Sequence, residues 1–403
     1  MPPATAAPWV LVAGGFHPLG GMDQLNAALV RELLARDTPV HLVTHQVDES
    51  LRDPFVTVHL VGKSAGSIFL GQRLLDQRGR AVAAAVTARN PSARVLVNGV
   101  NCAWPDINWV HFVNHAWPPR ADTGPRWLRV KSRFEATLTL RRERAIIPRS
   151  RLLIANSEGT RRELVEGFAL AAERVVTIYP GNNERYAPPP PARRGAARAS
   201  FGVTDQRPLV AFVGALGYDP RKGFATLWEA WQRLCADPAW RAILLVVGGG
   251  RAVPRWRRMV QAAGLADRVV LTGFTDDVAS VLAAADLLVS PARYEPYGLN
   301  VQEAICSGVP AIVSASAGIG ERYTADLKEL LLDDPEDSAA LAARLRDWSS
   351  RIALIKERFE PLGKLLRAHT EQAMARQILE AADFTDGEVQ KDRGVQSCPA
   401  ATI

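Results

Sequence analysis

Short runs of apolar, β-branched residues alternate with longer stretches of helical periodicity along most of the chain. In the first half the strand-sized runs are WVLVAGG, VHLVTH, VTVHLVG, RVLVNG, INWVHFVNHAW, SRLLIANS and VVTIYPGN. LNAALVRELLAR follows the first of them and QRLLDQRGRAVAAAVTAR precedes the fourth, each spaced as a helix with one apolar face. The second half repeats the grammar. LVAFVGAL, AILLVVGGG, RVVLTGF, DLLVSP and VPAIVS read as strands, and GFATLWEAWQRLC, PRWRRMVQAAGL, VASVLAAA and NVQEAICSG as helices. Strands apolar on both faces belong in parallel sheets covered by helices on each side. The pattern predicts an α/β protein of two Rossmann-like, doubly wound domains facing a central cleft.

Boundaries follow from breaks in this pattern. The first domain is expected over residues 1–186, and the proline-rich stretch 187–200 reads as an interdomain connector. The second domain is expected over 201–350, followed by terminal helices at 351–383 that pack back on the first domain. Residues 384–403 show no periodicity and are expected to be a disordered tail.

Composition narrows the class. A chain of 403 residues exceeds one ordinary core, and 47% hydrophobic with 23% charged residues describes a folded globular protein, not a disordered or fibrous one. A formal charge of +7 favours anionic partners. Cys102, Cys235, Cys306 and Cys398 form no C-x-x-C pair, so neither a zinc site nor a disulfide framework is expected, and a reducing compartment fits. The run Val10–Ala13 is strand-sized and ends in glycines, which reads as a first strand and not a signal peptide. The expected location is the cytoplasm, with peripheral contact on an anionic membrane through the basic segment 119–151, which carries Trp127 and Phe134. The same segment could equally guide an acidic glycan, and a solvated basic helix beside the acceptor cleft is the plainer alternative. No nucleic-acid-binding module is visible.

Ligands of doubly wound sheets sit beyond the carboxyl ends of the strands, so the loops after strands hold the candidate chemistry. Gly14, Gly15, Gly20 and Gly21 precede the first helix and suit a phosphate, although a tight turn would use the same residues. They do not form G-x-G-x-x-G. Arg221 and Lys222 stand just before a helix opening at Gly223, where two cations can neutralise a diphosphate; an exposed basic turn is the alternative. Glu295 and Glu303 are separated by seven residues in RYEPYGLNVQEAICSGVP. Glu303 is expected in the first turn of a helix, whose dipole favours its ionised form, a poor preparation for a general acid. Asp276–Asp277 and Asp333–Asp334 are not D-x-D motifs, so no metal is expected.

Together these segments resemble the family-4 glycosyltransferases of the GT-B fold, over about residues 10 to 380. The resemblance is strongest in FVGAL…RKGF, LLVVGGG, DRVVLTGF and the E-x7-E stretch, supported by GGFHPLGGMDQLN, ANSEGTRREL and VVTIYPGNNERY. It implies transfer of a sugar from a nucleotide-diphosphate donor to an acceptor hydroxyl with retention of configuration, without metal, in glycan, glycolipid or glycoside biosynthesis. In the roles it implies, Glu303 holds the donor ribose, and Glu295 faces the donor sugar near the backbone of Gly298, Leu299 and Asn300. Lys222 binds the diphosphate, and Gly21 with Gly20 and Met22 closes on it from the first domain. Gly214 lies on the donor side. His115 takes the place near the reacting face, with His111 on the same strand face as its competitor. Many members carry arginine where Ala215 stands, and Arg221 is the candidate replacement. A nucleotide-sugar epimerase, a phosphorylase and a non-catalytic carbohydrate-binding protein on the same fold are the competing readings.

Overall fold

The computed structural model describes residues 6–18, 20–62 and 68–395. The first domain's strands are β1 (Trp9–Val12), β2 (Val40–Thr44), β3 (Val56–Leu60), β4 (Arg94–Asn98), β5 (Ile107–Val110), β6 (Leu152–Ala155) and β7 (Val175–Thr177). All pair in parallel, in the order β3-β2-β1-β4-β5-β6-β7. Helices α1 (Gly21–Leu34), α2 (Ile68–Arg89), α3 (Arg126–Ile146) and α4 (Glu158–Phe168) make the crossovers. Strands β1 and β5 are buried at every position, which is why their sequence is apolar without alternation.

The second domain begins with helix α5 (Pro191–Ser200) and carries β8 (Leu209–Val213), β9 (Ile243–Val247), β10 (Val269–Gly273), β11 (Leu287–Ser290), β12 (Ala311–Ser314) and β13 (Leu331–Leu332). Its sheet runs β10-β9-β8-β11-β12-β13, again all parallel. The two-residue β13 escaped the sequence pattern because it is too short to show one. Helices α6 (Phe224–Cys235), α7 (Val253–Ala262), α8 (Val278–Ala284), α9 (Leu299–Cys306), α10 (Ser338–Ser350), α11 (Ile352–Ala368) and α12 (Glu371–Val395) complete the chain. In each sheet the strand order reverses beside the first strand of its domain, β1 or β8. Those reversals open crevices at the carboxyl ends.

Three expected boundaries change. Only the start of the expected connector is a linker, since 191–200 form α5. Arg194 and Arg198 of α5 bind Asp286 at 2.6 and 3.2 Å, and Ala197 enters the second core. Four prolines are compatible with this because the last of them occupies the first helical position, where no amide hydrogen is needed. Of the terminal helices, α11 stays with the second domain through Ile355, Phe359, Leu362 and Leu366. Only α12 returns, placing Met374, Ala375, Ile378, Leu379 and Ala382 in the first-domain core. Finally, α12 runs on to Val395 through part of the expected tail, while 396–403, with Cys398, lie outside the described residues.

Candidate functional site

Between the domains lies a cleft of about 720 Å³, bordered by the loops after β1, β5, β8, β9, β10 and β11. From the second domain, Asp219 accepts from the Arg221 amide at 3.0 Å and starts the short turn Pro220–Lys222. Gly223 then adopts φ +70, and a Cβ there would lie 1.7 Å from Pro291 O, so only glycine lets this turn approach the β11 loop. The turn brings Lys222 Nζ onto Glu295 Oε2 in a short ion pair, with Arg221 Nη1 3.8 Å from the same oxygen. Arg221 also donates to Tyr294 O at 3.3 Å. Ala215 and Arg221 both border the cleft, and Arg221 stands next to Lys222.

Gly298 caps α9 at φ +110, and Gly298, Leu299 and Asn300 border the cleft together with Gly214. The first amides of a helix have no acceptor within it, so this end offers donors to a ligand. The Asn300 side chain is occupied with Val213 O at 3.0 Å. Across the cleft, Gly20 (φ +90), Gly21 and Met22 open α1. A Cβ on Gly21 would meet Leu299 Cδ1 at 2.6 Å, so the first-domain loop lies directly against the start of α9.

Glu303 departs from expectation. It sits past the first turn of α9, buried, and accepts from Gln24 Nε2 of α1 at 3.4 Å. Arg185 bonds the other end of Gln24 at 3.1 Å and Tyr186 Oη at 2.9 Å. Burial pushes the Glu303 carboxyl up to about 7, against the lowering influence of Arg185, Gln24 and Tyr186. The sequence pattern predicts Glu303 in the first turn, where the dipole favours the ionised form; it lies past that turn, and burial favours the neutral form instead.

His115 and His111 exchange places. Strand β5 ends at Val110 and the chain turns over 114–117, so strand alternation does not carry on to His115. His115 is exposed and packs toward Phe168 of α4. His111 borders the cleft, its ring 4.4 Å from that of Trp109, and both ring nitrogens are buried without a hydrogen-bond partner. Burial lowers it to about 3, which keeps the imidazole neutral.

Gln24, Arg185 and Phe274 were not singled out from the sequence. Phe274 follows β10, is 77% exposed and borders the cleft, and an aromatic directly after a strand was the signal that could have found it. Among the described residues no three His, Cys, Asp or Glu side chains gather as a metal site, and no helix is long and apolar enough to cross a membrane.

This architecture recurs in solved structures. The sucrose-phosphate synthase (tll1590) from Thermosynechococcus elongatus superposes with a TM-score of 0.73 at 21% identity, over 97% of this chain and 100% of that one. Residues 19–185 match the family model Glycosyltransferase Family 4, and residues 207–350 match Glycosyl transferases group 1. The two matches together span most of the chain, which belongs to the family-4 glycosyltransferases of the GT-B fold. A 2-deoxystreptamine N-acetyl-D-glucosaminyltransferase of Streptomyces fradiae is 37% identical over 33% of this chain and 32% of its own length. A D-inositol 3-phosphate glycosyltransferase of Rhodococcus opacus (strain B4) is 31% identical over 53% of this chain and 48% of its own. The matches thus span a third to a half of these relatives.

Proposed function

We propose that the protein transfers a sugar from a nucleotide-diphosphate donor to an acceptor hydroxyl with retention of anomeric configuration. The observation that carries this reading is the convergence of Lys222, Arg221, Glu295 and Glu303 on one interdomain cleft opposite the start of α1. In this reading the diphosphate lies between the Arg221–Lys222 turn and Gly20–Met22, replacing Glu295 as the partner of Lys222. The donor sugar meets Glu295 and the amides of Gly298–Asn300, the ribose meets Glu303, and the base stacks on Phe274.

Charge grows on the departing diphosphate as the glycosidic bond breaks, and the two fixed cations stabilise it most at that moment. The acceptor hydroxyl enters from the face its leaving group vacates and gives its proton to the departing phosphate. No carboxylate is assigned as a nucleophile, and no metal is assigned to the site. Neutral His111 can accept a hydrogen bond from a sugar hydroxyl or donate one to it, which suits its two unpartnered nitrogens. Relatives named for 2-deoxystreptamine and D-inositol 3-phosphate support a small, hydroxyl-rich acceptor.

A screen of UDP-, GDP-, ADP- and dTDP-sugars by thermal shift identifies the donor, because a ligand specific to the folded state raises the melting temperature. Transfer is then measured with wild type, Glu295→Ala and Lys222→Ala. Full activity in both variants would sink the assignment, sugar interconversion without acceptor would replace it by an epimerase, and tight donor binding without turnover by a binding protein.

One observation favours a second partner. Trp127, Val130 and Phe134 lie along one face of α3, exposed by 62%, 66% and 66%, beside Arg126, Arg129, Lys131 and Arg133. Aromatic residues among cations suit the interface of an anionic bilayer. Cosedimentation with phosphatidylglycerol-containing vesicles that is lost in Trp127→Ala/Phe134→Ala supports this contact. Equal recovery with neutral vesicles, or none with either, rejects it.

A further inference from the structure

Helix α4 is covalently part of the first domain, yet much of its polar surface is spent on the second. The Ser157 hydroxyl at its N-cap donates to Pro296 O at 2.7 Å. One turn and a half later, Glu163 Oε2 accepts from the Tyr294 hydroxyl, also at 2.7 Å. These two partners are the residues on either side of Glu295. The first amides of α4, on Glu158 and Gly159, donate to the carboxylate of Glu321 at 2.9 and 2.6 Å. Tyr179 Oη, from the passage between the domains, donates to Glu321 Oε2 at 2.9 Å.

The loop that carries Glu321 also supports the loop that carries Glu295. Gly318 N donates to Glu295 O at 3.1 Å and Ile319 N to Tyr297 O at 2.7 Å. Gly318 is where the three segments meet: a Cβ there would lie 2.3 Å from Pro296 O and 2.6 Å from Ser157 Cβ. Residues 294–297 are therefore tied to α4 by both of Glu295's neighbours, and the approach depends on a missing side chain.

We infer that α4 is a positioning clamp, in which Ser157 holds the Pro296 carbonyl and Glu163 the Tyr294 hydroxyl, on either side of Glu295, and the two set that carboxylate in its working place only when the two domains are together. The inference rests on reading Glu295 as the donor-sugar acid. Its consequence is conditional assembly. With the domains apart, neither neighbour of Glu295 has its partner, so the site is incomplete while water has free access. Misplacing a reacting group by about 1 Å can cost on the order of a hundredfold in rate, so two hydrogen bonds of this kind are enough to separate a competent site from an idle one. Glu163 is a positioning residue and touches no substrate.

The test uses the full chain in four variants: Glu163→Ala, Glu163→Gln, Tyr294→Phe, and Glu163→Ala with Tyr294→Phe. Glutamine keeps an oxygen that can accept from Tyr294, so Glu163→Gln should recover most of what Glu163→Ala loses. The clamp predicts kcat down by about tenfold or more in Glu163→Ala with the donor KM within about twofold, and a double variant no worse than the poorer single one. Independently of turnover, amide exchange across 292–298 with nucleoside diphosphate bound should quicken in Glu163→Ala, while β9 exchanges as in wild type. Additive losses, a KM change without a kcat change, or unaltered exchange at 292–298 would overturn the clamp. Full transfer by Glu295→Gln would instead overturn the reading of Glu295, and the exchange measurement would still decide whether α4 holds that loop.

Discussion

Lys222 and Glu295 satisfy each other across the donor side of the cleft, ammonium on carboxylate, with Arg221 3.8 Å behind. Neither neighbour of this pair in the chain brings it about. The turn at Pro220–Lys222 and the loop after β11 meet because Gly223 has no side chain. A diphosphate must compete with Glu295 for Lys222, so removing the two partners has opposite consequences.

Lys222→Ala should weaken nucleoside diphosphate binding by about ten- to a hundredfold, the range of a charge-assisted hydrogen bond. Glu295→Gln should leave that binding equal or tighter while transfer falls, because the lysine is released to the phosphates. Calorimetry with the nucleotide alone separates the two; weaker nucleotide binding by Glu295→Gln would contradict the arrangement.

Glu303 makes binding a protonic event. Its folded pKa of about 7 lies above the ordinary 4.5, so its favourable contribution to stability is whole below 4.5 and lost as pH rises through about 7. Ribose hydroxyls donating to the carboxylate favour the ionised form, so donor binding at pH 6.5 should release a proton. The measured enthalpy should then vary with the ionisation enthalpy of the buffer, and Glu303→Gln should abolish that variation.

The two histidines give a clean contrast. His111→Ala should lower kcat by about ten- to a hundredfold, as expected for a lost polar group at the reacting face, while His115→Ala stays within about twofold of wild type. Burial also holds His111 near 3 against an ordinary 6.5, so the stability it contributes is whole above 6.5 and lost as pH falls toward 3. His111→Phe, which keeps a ring against Trp109, should therefore gain melting temperature over wild type at pH 5 relative to pH 7.5.

Gly21 and Leu299 should be coupled. Gly21→Ala places a methyl against Leu299 Cδ1, so it should raise the donor KM several-fold, about threefold or more, and Leu299→Ala in the same chain should return part of the loss. Steady-state kinetics of the two single variants and the double variant decide it; strict additivity would mean that the contact does not govern closure.

Asp286 anchors α5 through Arg194 and Arg198 and also accepts from Leu209 N at 2.9 Å. Asp286→Ala should cost about 2 kcal/mol in denaturant unfolding, because it removes the counter-charge of two guanidinium groups, which keep only carbonyl acceptors, and takes the acceptor from a strand amide.

The sheets were legible because a strand covered on both faces has no choice but to be apolar, and β1, β8, β9 and β11 announce themselves in that way. Glu295, Lys222 and the α9 glycine were legible for a related reason, since their loops are local and their spacing is fixed by one turn. What the sequence hid was partnership between distant segments. Nothing near Glu303 says that it will be buried beside Gln24 and Arg185, or that burial will raise its pKa in spite of them. The choice between His111 and His115 turned on where β5 stops, and a strand-like pattern running on past Val110 concealed the turn. The prolines at 188–191 were read as a break, although the last of them begins a helix.

The return of α12 to the first domain has a consequence for how the chain is made. Met374, Ile378 and Leu379 fill a core whose other members, from Trp9 to Ile178, leave the ribosome long before them. The first domain must wait, with one apolar face uncovered, until the second has been synthesised. Order of synthesis and order of completion are thus reversed for this half of the molecule. Packing of α12 is the step that closes that face.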